Sequence, residues 1–341
     1  MTILVTGVAG SIGMHVSQQL LARGEQVLGV DNLNDYYSPA LKRARLAQLQ
    51  VHRHFQFEAI DLADNAALSS AFKHAEPDRV IHLAGQAGVR YALDHPESYT
   101  SSNLVGTANV LENCRRGGVK HLVFASSSSV YGANLKLPFS ELDPVDHPVS
   151  FYAATKRSNE VMAHSYAHLF DLPITALRYF TVYGPWGRPD MAIWKFTEAM
   201  LTGRPIDVYG QGLLARDFTF VEDAARATVL ALDRPSARKS SPNPSDWKAS
   251  GPDQSWAPFE IYNVGRSDPV SVNDLLSLLE QLTGRTAQRK QLPMQPGDVE
   301  RTFADCSKIR TALGWQPKVS LAEGLQHWVS WYRSYSGLQM S

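Results

Sequence analysis

Tyr152 and Lys156 stand four residues apart in FYAATKRSNE (residues 151–160), a spacing that puts both on one face of a helix. A phenol at its ordinary pKa of ~10 is a poor base, and a neighbouring cation favours the phenolate. Such a pair can therefore serve proton transfer, although many helices carry a Tyr/Lys pair on a solvated face. A second polar group precedes it: FASSSSVYG (residues 124–132) places Ser126, Ser127, Ser128 and Ser129 at the end of an apolar run, where a linker is out of place.

A third constellation lies at the start of the chain. TGVAGSIG (residues 6–13) sets Gly7, Gly10 and Gly13 between an apolar β-branched run and a helical pattern. Glycines there keep the turn tight and let backbone N–H groups, with Ser11 and Ile12 at the helix start, approach a pyrophosphate. Asp31 ends the next strand, about 20 residues on, where a carboxylate holds the ribose hydroxyls of an adenosine and repels a 2′-phosphate. Strand, turn, helix and acid together predict a dinucleotide site for NAD rather than NADP, with Asn32 beside the acid. A bound nicotinamide cation would act on Tyr152 in the same direction as Lys156. Asp61 and Leu62, after the third strand, suit an adenine edge, and a turn aspartate explains them as well. In HLAGQAGVR (residues 82–90), Leu83, Ala84 and Gly85 are small enough to let a cofactor approach the sheet, while Gly85 and Gly88 equally suit simple turns.

These residues need a frame. Strand patterns at 2–6, 26–31, 55–59, 79–83, 120–125 and 174–179 alternate with helical patterns at 12–23, 39–50, 64–74, 97–117 and 151–171. That alternation predicts an α/β fold, a doubly wound parallel sheet covered on both faces. Beyond Tyr179 the alternation weakens, with helical patterns near 190–202, 222–234, 272–283 and 320–335. We expect a cofactor domain over 1–180 and a smaller mixed substrate domain over 181–341, with segments interleaving. Residues 234–258, rich in Pro, Ser and Asp, read as a long loop that Trp247 and Trp256 pin to the body.

Composition excludes other classes. The 341 residues are 44% apolar and 19% charged, ordinary for a globular chain. Lys and Arg total 33, as do Asp and Glu, which argues against nucleic acid or an anionic membrane as the main partner. Cys114 and Cys306 have no metal-ligand spacing and form no disulfide framework, so no metal is expected and both read as buried thiols. With no apolar run of membrane length and no leader before the first strand, the expectation is a soluble cytoplasmic protein.

Taken together, TGVAGSIG, HLAGQAG, SSSSVYG and YAATK resemble the extended short-chain dehydrogenase/reductases, in particular the nucleotide-sugar epimerases and dehydratases, over essentially the whole chain. The resemblance implies a Rossmann-type cofactor domain, with Tyr152 as base and Lys156 on the nicotinamide ribose, where it also lowers the tyrosine pKa. It implies that Ser127 hydrogen-bonds the reacting sugar hydroxyl and that Asn103 and Tyr179 lie by the cofactor. Ser11 departs from it, since relatives carry a bulky residue there, and the expected effect is confined to packing at the turn.

The serines also discriminate within the family. Dehydratases resemble T-D-E-V-Y-G and uronate decarboxylases S-E-V-Y-G, whereas Ser128 and Ser129 supply no acid for a second proton transfer, which favours plain epimerisation. DNLNDYYSPALKRARL (31–46), RYFTVYGPWGRPDMA (178–192) and MQPGDVERTFAD (294–305) are similar to UDP-glucuronate 4-epimerases. Thr181 and Arg188 suit a sugar carboxylate, though a capping threonine and a solvated loop arginine are the plain alternatives. Arg216 resembles the family's diphosphate arginine, Asp298 its uridine-ribose contact and Arg301 a phosphate partner. Arg90 fits either a substrate contact or an internal salt bridge. The expectation is C4 epimerisation of a UDP-sugar, foremost UDP-glucuronate, on tightly bound NAD by a homodimer serving polysaccharide biosynthesis. A glucose/galactose or N-acetylated sugar epimerase is the first alternative, and a non-catalytic NAD-binding regulator or a decarboxylase are the others.

Overall fold

A computed structural model describes residues 1–239, 251–294 and 299–337. Its first half is a β-strand/helix alternation: β1 (Thr2–Thr6), α1 (Ser11–Ala22), β2 (Gln26–Asp31), α2 (Pro39–Gln50), β3 (Phe55–Ala59), α3 (Asn65–Ala75) and β4 (Arg79–His82). Two short helices, α4 (Tyr91–Asp94) and α5 (Pro96–Tyr99), lead into α6 (Gly106–Arg116), followed by β5 (His121–Ser127), α7 (Phe151–Phe170) and β6 (Ile174–Tyr179). Then come β7 (Thr181–Tyr183), α8 (Ala192–Thr202), β8 (Ile206–Tyr209), β9 (Ala215–Phe220) and α9 (Val221–Asp233). The described chain ends with β10 (Phe259–Val264), β11 (Pro269–Ser271), α10 (Val272–Thr283), β12 (Arg289–Leu292), α11 (Ser307–Leu313) and α12 (Leu321–Ser336).

Seven strands form one parallel sheet in the order β10-β6-β5-β4-β1-β2-β3. Period-two alternation sorts its side chains onto two faces. Ile3, Val5, Ile81, Val123 and Leu177 pack with Met14 of α1 and Ala224 of α9. Their neighbours Leu4, Val80, Leu122, Phe124 and Ala176 pack with Phe72 of α3, Val110 of α6 and Ala163 of α7. Each fully buried aliphatic side chain contributes roughly 1.5–3 kcal/mol relative to exposure. The seventh strand was not read from the sequence. It comes from residues 259–264, so the chain leaves the large sheet after β6 and returns to its edge.

The remaining strands make two small sheets, β11-β9-β7 and β12-β8. They lie with α8, α10 and α12 around Trp194, Met200, Leu275, Leu279, Leu325, Trp328 and Tyr332. Capping is local and legible: Asp64 accepts from the Ala66 and Ala67 amides at α3, and Ser150 from the Ala153 amide at α7.

Two segments differ from the sequence reading. The helix expected over 97–117 is interrupted by a π-helical stretch, Thr100–Val105, whose Asn103 is fully buried. Widened turns of this kind allow a side chain to reach a site that an unbroken helix would miss. Of the loop 234–258, the described part is tied down: the Lys239 amide donates to the Trp256 carbonyl at 3.0 Å, and Trp256 packs against His168. Trp247 lies outside the described residues. Cys114 and Cys306 are buried free thiols, and burial pushes Cys306 up to about 12. Among the described residues no helix is long and apolar enough to cross a membrane, and no group of three or more His, Cys, Asp or Glu is placed to hold a metal.

Candidate active site

The carboxyl ends of the central strands open into a cavity of about 460 Å³. Its floor is the turn between β1 and α1. Gly7 has φ of +70°, and a Cβ there would stand 2.6 Å from the Ala84 amide nitrogen. A Cβ on Gly13 would stand 2.1 Å from the Gly7 carbonyl oxygen. Only glycine lets this backbone fold onto itself and leave a bare cradle at a helix N-terminus.

Asp31 closes one side of the cradle by accepting from the Ala9 amide at 3.1 Å and the Leu33 amide at 2.9 Å. A carboxylate has about four acceptor positions, so both ribose hydroxyls can still bind. Burial pushes the Asp31 carboxyl up, against the two amides and the charges of Lys42 and Arg45. Asp61 accepts from Asn32 at 3.0 Å, and Leu62, Leu83, Ala84 and Gly85 complete the cavity wall with Ser11 and Ile12. These residues fit NAD: backbone donors for the pyrophosphate and an acid for the ribose.

The reactive groups meet at the other end of the same cavity. Ser127 ends β5, Tyr152 and Lys156 lie in the first turns of α7, and Tyr179 ends β6. Burial pushes the Tyr152 phenol up, while the Ser127 hydrogen bond and the Arg188 charge pull it down. Lys156 donates to the Ala125 carbonyl at 3.0 Å, and burial lowers its pKa to about 8. In the protein alone, then, the Arg188 charge acts on the phenol in the direction of the phenolate. Asn103 stands behind the cavity: its Oδ1 accepts from the Gln86 amide at 2.7 Å and its Nδ2 donates to Thr155 at 2.9 Å.

The serines of the tract have different surroundings. Ser126 turns into the core and donates to Glu160 at 2.6 Å. Glu160 in turn takes a two-pronged grip from Arg178, at 2.9 and 3.0 Å. Ser127 accepts from the Ser129 amide at 3.1 Å and its hydroxyl donates to the Ser129 hydroxyl at 3.2 Å, while Ser128 faces the cavity. None of the four residues Ser126 to Ser129 is an acid.

Thr181 and Arg188 line both this cavity and an adjoining one of about 950 Å³, which Arg90 and Arg216 also line. Arg90 stacks over the Tyr209 ring at 5.2 Å, and an Arg216 Nη1 donates to the Ala215 carbonyl at 2.9 Å. Arg301 is paired with Ala215 through an isolated β-bridge, which brings its backbone beside the start of β9. Asp298 lies outside the described residues. Sequence reasoning missed Tyr36, Lys42, Arg45 and Asp190. Arg45, fully buried, donates to the carbonyls of Ala9, Trp186 and Gly187, tying the pyrophosphate turn to the loop before α8. These three carbonyls are 36 to 142 residues away, where no local pattern signals them, while the Tyr37 hydroxyl, which also accepts from Arg45, is eight residues away.

A glycine cradle with its acid, opening onto a serine, a half-buried tyrosine and a buried lysine, defines a dinucleotide-dependent enzyme acting on a carbinol or carbonyl carbon. The comparison with known proteins is more specific. Residues 3–265 match the NAD dependent epimerase/dehydratase family, and the chain belongs to it. It is 46% identical to a probable UDP-glucuronate 4-epimerase of Rhizobium meliloti (strain 1021), over 97% of each chain. Its fold is similar to the crystal structure of UDP-glucuronic acid 4-epimerase from Bacillus cereus in complex with UDP-glucuronic acid and NAD, with TM-score 0.87 and 34% identity over 98% of this chain and all of that one. A UDP-glucose 4-epimerase of Thermotoga maritima follows at TM-score 0.83 and 32% identity, covering 98% of this chain and 100% of that one.

Proposed function

We propose that the protein interconverts UDP-glucuronate and UDP-galacturonate by NAD-dependent epimerisation at C4. The observation that carries this reading is the end of β5: hydroxyls at Ser127, Ser128 and Ser129 beside Tyr152, with Thr181 and Arg188 on the same cavity and no acid among them. Bound NAD supplies the hydride acceptor that makes a 4-keto sugar and, once reduced, the donor that returns the hydride.

Tyr152 takes the proton of the sugar 4-hydroxyl and gives it back after the sugar has turned. Ser127 orients that hydroxyl through the hydrogen bond it shares with the phenol. Lys156 holds the nicotinamide ribose. Gly7, Gly10, Ser11, Ile12 and Gly13 seat the pyrophosphate, and Asp31 the adenosine ribose. Arg216 of β9 and Arg301, whose backbone bridges to the neighbouring Ala215, hold the UDP diphosphate.

A 4-ketone beside the C5 carboxylate is a β-keto acid, which loses CO₂ when the breaking bond stands perpendicular to the carbonyl plane. Ser128, Ser129, Thr181 and Arg188 keep the carboxylate hydrogen-bonded and out of that alignment. The test compares UDP-glucuronate, UDP-glucose and UDP-N-acetylglucosamine as substrates, then repeats the uronate with Thr181→Ala. UDP-glucuronate is expected to have the highest kcat/KM, and Thr181→Ala to lose about tenfold or more of it while releasing UDP-pentose. Preference for a neutral sugar, or a variant with unchanged rate and no pentose, overturns the assignment.

The same reading makes the protein a homodimer through the π-helical stretch with α6, and through α7, where Val105, Val161, Leu169 and Phe170 stand exposed. Two free thiols suit a reducing cytoplasm, and an activated uronate suits polysaccharide biosynthesis.

A further inference from the structure

Arg188 does not meet the cavity with an open fork. Its Nε donates to Asp190 Oδ1 at 3.0 Å and its Nη2 to Asp190 Oδ2 at 2.6 Å, so a carboxylate two residues along already occupies one whole edge of the guanidinium. The Tyr36 hydroxyl donates to the same Asp190 Oδ2 at 3.0 Å. Tyr36 comes from the loop between β2 and α2, on the cofactor side, and its ring packs against Tyr91 at 4.7 Å. Its seat is made by Gly88, whose φ is +103° and whose Cβ, if present, would stand 2.4 Å from the Tyr36 hydroxyl. Burial would raise the Asp190 carboxyl, but Arg188 and Tyr36 outweigh it and hold it below the usual carboxylate range. Asp190 therefore stays charged.

Building on the uronate reading above, we infer that Asp190 is a positioning residue that masks Arg188: it takes the Nε–Nη2 edge and balances the charge, so that the sugar carboxylate meets only the remaining edge of a neutralised guanidinium and is held loosely enough to move. An open guanidinium fork takes a carboxylate bidentately, the strongest and most directional of such contacts. A uronate held that way cannot readily turn its 4-keto ring to present the other face. With one edge closed and its charge balanced, Arg188 offers the substrate hydrogen bonds from its remaining edge while leaving the carboxylate free to move. Tyr36 fixes Asp190 on the arginine, and so makes the mask depend on the cofactor side of the cleft.

Binding and turnover separate this role from a merely structural one. In the holoenzyme of the non-turning Tyr152→Phe background, Asp190→Asn removes the competing charge. The Kd for UDP-glucuronate measured by calorimetry is expected to fall about tenfold, with the Kd for UDP-glucose unchanged. On the Tyr152 enzyme, Asp190→Asn is expected to lower KM and kcat for UDP-glucuronate together, because tighter holding slows rotation. A Kd for UDP-glucuronate that is unchanged or higher overturns the inference, as does an equal gain for both sugars. If Asp190→Asn does not fold, Tyr36→Phe decides: about a threefold fall in the uronate Kd supports the mask, and no fall contradicts it. These affinities are read without catalysis. If the unaltered enzyme leaves UDP-glucuronate unchanged, the proposed function fails while the Asp190 comparison still stands or falls by itself.

Discussion

Tyr152 is pulled two ways by its surroundings: burial favours the neutral phenol, and Arg188 favours the phenolate. Catalysis by a phenolate rises with pH through the phenol pKa, so the acid limb of kcat/KM reports it. Removing a cation that favours the phenolate raises that pKa. Arg188→Met is therefore expected to move the acid limb to higher pH, by about one unit, in a pH profile with UDP-glucose, whose binding does not use a sugar carboxylate. A limb that stays in place would mean that Arg188 does not act on Tyr152. Much at this scale was legible in the sequence. Gly7, Gly13 and Asp31 belong to one β1-α1-β2 unit and Tyr152 and Lys156 to neighbouring turns of one helix, and all five line the same cavity. Asp190 stood in a segment already noted for Arg188, yet its role depends on Tyr36, 154 residues away.

Elements place these residues through contacts that sequence periodicity does not encode. Near the end of β5, Ser126 turns inward onto Glu160, which Arg178 of β6 grips from the neighbouring strand. The Arg178 guanidinium also donates to the Tyr131 hydroxyl at 3.1 Å, which donates to Asn263 of β10 at 2.7 Å. One buried network thus joins α7, β5, β6 and β10 directly beneath the reactive end of the sheet. Breaking a buried ion pair from one side leaves an uncompensated charge. Glu160→Ala is expected to destabilise the fold by about 3–5 kcal/mol in denaturant unfolding, against under about 1 kcal/mol for the exposed Glu198→Ala. Equal losses would contradict the role given to the network. The π-helical stretch at 100–105 was illegible for a related reason. Its apolar pattern is that of an ordinary helix, and only the buried amide of Asn103, bonded to Gln86 and Thr155, shows why the turn widens.

At the scale of the whole molecule, the large sheet was read correctly in six strands, while β10 escaped because it returns after the long loop. Three histidines lie buried in this frame. His82 bridges Thr6 and Thr107, and burial with the Lys156 charge lowers its pKa to about 3. Burial also lowers His15 and His121 to about 4. All three folded-state values lie below the unfolded value of ~6.5, so their contribution to stability is present above that pH and is lost as pH falls toward the folded values. Between about pH 6 and 4 the unfolded chain binds up to three more protons than the folded one, a slope near 4 kcal/mol per pH unit. The melting temperature is expected to drop steeply below pH 6, and His82→Gln to reduce the steepness. A flat profile from pH 7 to 4 would contradict this.

The proposed function has one cavity hold NAD through every turnover and epimerise a UDP-uronate at C4 without releasing it as a pentose. It is tested most directly by incubating the purified protein with UDP-glucuronate, without added NAD, and following the sugar by NMR. The account predicts conversion to an equilibrium mixture containing UDP-galacturonate, with no UDP-pentose. Unchanged UDP-glucuronate, or pentose as the main product, would contradict it.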